Sequence, residues 1–140
     1  MRGSAQTTSR IAFVILLFFG APASFAGGGW YLLVPPTSEY DERAQFLSGY
    51  KILDTQSLSK WTQQGAYDSA SECEAIKNSL LMAEHDIYSK RSADYIKAVG
   101  ENKEPTLLKH MRWVTEKSNA NVNAMSASRC IKSDDARLNK

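Results

Sequence analysis

Apolar and polar positions change rhythm several times along the chain, and each change marks an element. Positions 11–20 (IAFVILLFFG) are continuously apolar. A polar start carrying Arg2 and Arg10 precedes them, and a small-residue stretch, 21–26 (APASFA), follows. Trp30–Val34 (WYLLV) is aromatic and branched, with glycines before it and Pro35–Pro36 after it, which predicts a strand with an abrupt end. Its unbroken apolarity calls for burial on both faces or a central place in a sheet. Residues 37–60 hold no period. A start at Ser38 to Asp41 and a stop at Gly49 predict one short helix carrying Phe46 and Leu47 within an irregular connection. Trp61–Tyr67 (WTQQGAY) alternates and predicts a second strand, with Gly65 marking a bulge or a close backbone approach.

From Asp68 onward the period is helical. Ser69 and Glu72 form an S-x-x-E capping box. Cys73, Ile76, Leu80, Ala83 and Ile87 then recur three and four apart, with Leu81, Tyr88 and Tyr95 widening the stripe. The helix is expected to reach Ala98 and stop at Gly100. Pro105 suits the first turn of a second helix, whose stripe of Leu107, Leu108, Met111 and Val114 fades through Asn119–Asn123. Arg129–Lys132 (RCIK) predicts a third, edge-like strand before a polar tail, 133–140. Strand, strand, helix, helix, strand is the order of an α+β fold. The economical arrangement is a short, mostly antiparallel sheet of about three strands, covered on one face by a helical hairpin.

The N-terminal pattern is that of a secretory signal peptide: basic, then apolar, then small. Ser24 and Ala26 fit the narrow subsites of a signal peptidase and place the cut between Ala26 and Gly27. An uncleaved anchor is the alternative, but Ile11 to Ala26 falls short of the about 20 residues a spanning helix needs. The expected organisation is a leader at 1–26, then one small domain at 27–140 with a flexible start and a polar C-terminal tail.

Charge follows from that division. The whole chain has 17 basic and 15 acidic residues. Arg2 and Arg10 leave with the leader, so the mature chain is neutral. A neutral chain lacks the basic field of a general nucleic-acid binder. Membrane contact is expected only through the leader during export.

Export also changes how the two cysteines are read. In an oxidising compartment they allow one intramolecular pairing, Cys73 with Cys130, 57 positions apart. A loop of that size stabilises by roughly 4 kcal/mol in the chain-entropy treatment. Redox pairs sit two residues apart, and these do not. Cys73, His85, His110 and Cys130 lack the short spacings of zinc sites, so no metal or other cofactor is expected.

Candidate chemistry is sparse. Asp134, Asp135 and Arg137 form the most polar cluster, readable as a docking patch with Trp113, as a weak cation site, or as a solvated end in which Arg137 folds back onto a carboxylate. His85 stands about 120° round its helix from Cys73, which points it to solvent. His110 neighbours Met111 and borders the packed face. Neither histidine has a nucleophile and an orienting acid at hand, and no catalytic residue is assigned. Trp30 and Trp61 read as core.

Three segments together resemble a group of small exported bacterial proteins of unknown function. They are Trp30–Pro36 (WYLLVPP); Leu58–Trp61 through Gly65–Ala70 to Cys73–Glu74; and Arg129–Leu138 (RCIKSDDARL). The group's pattern is W-Y-L-x-x-P-P, an aromatic-D-S/T-x-x-x-C-E helix start and a closing R-C-x-x-S-D-D-x-R-L. Ala136 stands where the group favours proline. The resemblance implies an exported bacterial setting and agrees with the cysteine pairing; it implies no activity. The expected protein is a periplasmic or secreted, disulfide-stapled, non-enzymatic binding module whose partner is a protein or other component of the envelope. The rival reading is a small envelope hydrolase using His110 with carboxylates such as Asp134 and Asp135.

Overall fold

The computed structural model describes residues 29–40 and 49–139. The segments where a leader, an Ala26–Gly27 cleavage point and a short helix carrying Phe46 and Leu47 are expected lie outside the described residues. Strands β1 (Trp30–Val34), β2 (Thr62–Tyr67) and β3 (Arg129–Lys132) form an antiparallel sheet in the order β2-β1-β3. Helices α1 (Ala70–Gly100) and α2 (Pro105–Ala127) pack on each other as a hairpin. A disulfide joins Cys73 on α1 to Cys130 on β3. This is the α+β arrangement that the element order predicts.

The unbroken apolarity of β1 follows from its central position. Leu32 is fully buried, and its register partner Cys130 bonds to α1, so that face of the sheet meets the helices. Leu33 points the other way, where Leu58, Trp61 and Ile131 close a small second core with Tyr31 and Leu138 against it. Sequence reasoning covered one face only. The other face is closed by two short 3-10 helices, Leu58–Lys60 and Ala136–Asn139, because a central apolar strand needs cover on both sides. Between β1 and β2 the register steps from Leu32↔Gly65 to Leu33↔Gln63, leaving Gln64 as the bulged residue. A β-carbon at Gly65 would meet the Tyr67 hydroxyl, so the ring takes the space a side chain there would need.

Capping sets the helix limits. The Ser69 hydroxyl accepts the Glu72 N–H at 3.1 Å, and the Glu72 carboxylate accepts the Asp68 N–H at 3.1 Å. At the other end Gly100 is the last helical residue, not the stop. Asn102 adopts φ 50°, its N–H reaches Val99 O, and Lys103 N–H reaches Ala98 O, which makes a Schellman motif. Asn102→Gly is therefore expected to raise stability by about 0.5 kcal/mol, and Asn102→Val to lower it by about 1 kcal/mol or more. Urea unfolding with unchanged slope checks both.

The packed stripes differ from the expected ones. On α1 Ile76 and Ile87 are 38% and 42% exposed, while Leu81, Tyr88 and Tyr95 are half-buried and Ala98 is buried. On α2 Leu107 is 44% exposed, and the buried residues are Ser118, Ala120, Val122, Ala124 and Met125. The reason is length. A helix of 31 residues is about 46 Å long, whereas four to six strand residues span about 13–20 Å. Only the start of α1 and the end of α2 lie over the sheet, and there small side chains let the helices approach. Within the Asn-rich run Ala120 and Val122 face inward, and Asn121 faces out to Glu84 at 3.3 Å. The remaining hairpin overhangs the sheet.

An arm braces this overhang. Leu53 N–H donates to Pro36 O and Ser38 N–H to Lys51 O, pairing two short runs after β1. Gly49 N–H then donates to the Glu116 carboxylate at 3.0 Å, which also accepts Arg112 Nε at 2.7 Å.

Candidate functional site

The fold separates the candidate residues into two places. On the overhang, His85 is exposed on α1. His110 and Trp113 lie on the outer side of α2, their rings 5.8 Å apart. They line a shallow hollow of about 330 Å³ with Tyr40, Thr106 and Lys109, and the Lys117 ammonium sits over the Trp113 ring. His110 stands about 25 Å along the axis from the end of α2. Asp134 and Asp135 follow β3 at the far end of the sheet, where Ser133 N–H meets Gly29 O. The structure does not bring His110 to either carboxylate, nor Trp113 to Arg137.

The C-terminal cluster folds back on itself. Arg137 grips Asp135 with Nε and Nη2 at 2.9 and 2.7 Å, and its backbone N–H donates to the same carboxylate at 2.9 Å. Lys132 pairs with Asp134 at 3.0 Å. The Arg137 side chain, then its backbone N–H, holds the Asp135 carboxyl down at about 2, below its usual 3.8. A lowered folded value means that the contribution to stability is present above pH about 4 and is lost as pH falls through about 2. Arg137→Gln is expected to return the Asp135 titration towards 3.8, read by carboxyl NMR.

Arg137 also reaches a second hollow, of about 310 Å³, on the sheet face away from the helices. Residues 54–58 line it together with Trp61, Arg129 and Arg137. Trp61 anchors it: the residue is 6% exposed and its Nε1–H donates to Gln56 O at 3.1 Å. The Arg129 guanidinium lies over that ring, 5.2 Å from its centre. Strand alternation puts Arg129 there, on the same face as Ile131. Segments 58–61 and 129–138, distant in sequence, thus meet at one hollow.

Arg129 and the Asp54–Ser57 wall escaped sequence reasoning. Arg129 read only as a strand flank, and nothing local announces that a residue 68 positions after Trp61 will stack on it. Among the described residues no group of three His, Cys, Asp or Glu could hold a metal ion, and no helix is long and apolar enough to cross a membrane. Chemically, this hollow offers a planar cation on an aromatic platform beside an apolar floor, which suits binding an anion. Compared with known proteins, the chain matches no protein-family model, no curated protein and no solved structure.

Proposed function

We propose that the protein is an exported, disulfide-stapled binding module of the bacterial envelope, non-enzymatic, and periplasmic or secreted. The observation that carries this reading is the Cys73–Cys130 bond, with Cys73 fully buried between α1 and the sheet. Such bonds persist where the surroundings are oxidising. The basic–apolar–small pattern at 1–26 and the resemblance to small exported bacterial proteins support the same setting. The Trp61–Arg129 hollow is the surface through which the module engages an envelope component, because it sets a guanidinium over an aromatic ring beside apolar carbon.

The test has two parts. Mass spectrometry of the exported protein is expected to find a chain beginning at Gly27 with its two cysteines bonded. Cross-linking in intact cells, from a photoreactive residue placed at Ser57, is expected to capture an envelope component. A chain beginning at Met1 in the cytoplasm overturns the export reading, and an empty cross-link overturns the binding reading.

A further inference from the structure

Building on the binding-module reading, we infer that the hollow beside Trp61 takes a small ligand through a carboxylate, and that Arg129 grips it. Among the described residues the other arginines are engaged: Arg91 donates to Ser118, Arg112 to Glu116 and Arg137 to Asp135. The Arg129 guanidinium has the Trp61 ring beneath it and no hydrogen-bonded partner among those residues, its backbone pairing with Leu33 in the sheet. The ring face attracts the guanidinium without using its N–H donors, and that donor fork matches the two oxygens of a carboxylate. A cation already ordered on a buried ring loses little further freedom on binding.

The rest of the wall narrows the ligand. Arg137 is neutralised by Asp135 through Nε and Nη2, so its Nη1 group adds a donor but little net charge. Asp54, also in the lining, opposes any second negative charge, which favours a monoanion over a phosphate dianion. Leu58 and the rim of Trp61 supply an apolar floor for carbon. A hollow of about 310 Å³ is at the small end of ligand sites and suits one residue-sized unit. An acidic sugar and the free end of a peptide share this chemistry.

NMR titration of the exported, oxidised protein tests it, read at the Trp61 indole N–H. The probes are N-acetyl-leucine, galacturonic acid and inorganic phosphate. One of the two carboxylates is expected to shift that resonance at about 10 mM or below, and which one does identifies the source. Arg129→Gln is expected to weaken binding about tenfold or more. Arg129→Lys, which keeps the charge and loses the fork, should weaken it too, and Asp54→Asn should strengthen it. An unchanged near-ultraviolet dichroism spectrum verifies that each variant is folded. Equal affinity in Arg129→Gln, phosphate binding tighter than either carboxylate, or no shift with any probe overturns the inference. If no carboxylate binds while the Ser57 cross-link still captures an envelope component, the ligand class is wrong and the binding-module reading stands.

Discussion

Replacing both cysteines, Cys73→Ala with Cys130→Ala, is expected to lower unfolding stability by about 3–4 kcal/mol. The bond closes a loop of 57 residues that contains almost all of α1, the whole of α2 and the start of β3. Without it the unfolded chain regains that loop's freedom, while α1 is left to hold the sheet by packing alone. The packing is limited, since only one end of the hairpin lies over the strands. For a domain of this size the midpoint of thermal unfolding should fall by roughly 10–20 °C. The double variant avoids leaving an unpaired buried thiol, so the loss reports the bond. A midpoint within a few degrees of the parent, at about one kcal/mol or less, would show that the staple is incidental.

Trp61→Ala carries the next largest effect, about 3–5 kcal/mol by urea unfolding. Trp61 closes the second core with Leu33, Leu58 and Ile131, on a sheet face that has only short 3-10 helices to cover it. Trp61→Phe separates volume from hydrogen bonding: it keeps a ring but loses the bond to Gln56 O, and should cost about 1–2 kcal/mol. The pair also reads the site. Arg129 keeps a platform over phenylalanine and loses it with alanine, so ligand affinity should survive the first substitution and collapse with the second. Equal loss of binding in both would separate the hollow from the stacked cation.

Local elements were legible because their signals are local. β1 ends where Pro35 and Pro36 forbid further pairing, and the Ser69–Glu72 box sets the start of α1 through bonds spanning a few residues. The end of α1 was placed within two residues, yet the left-handed residue is Asn102, with Gly100 still inside the helix. Asparagine's tolerance of that conformation makes the two hard to rank from sequence. The helix stripes were misread for a different cause. Periodicity reports which positions share a face, whereas burial depends on where along its length a helix has something to pack against. Ile87 and Leu107 have the right period and stand over no sheet.

The candidate site was hardest to see. Trp61 reads as core and is buried; its place beneath a cation depends on Arg129 arriving from the opposite sheet edge. The sequence offers Arg137 a carboxylate to fold back onto, and Asp135 is the one it grips. That the same side chain borders the Trp61 hollow follows from the last 3-10 helix packing against the first.

By itself the sequence determined the α+β class, the three strands, both helices and the only cysteine pairing available to two cysteines. Each of these rests on hydrophobic period, a cap, a breaker or a count. Tertiary structure decided which strand lies between which, how much of the hairpin stands over the sheet, and that the second sheet face is closed by Trp61 and Leu138. It also decided that Trp113 and Arg137 belong to different hollows and that Arg129 lies on Trp61. Those outcomes depend on distances between residues far apart in the chain, which are fixed only once the Cys73–Cys130 bond and the sheet register bring the segments together.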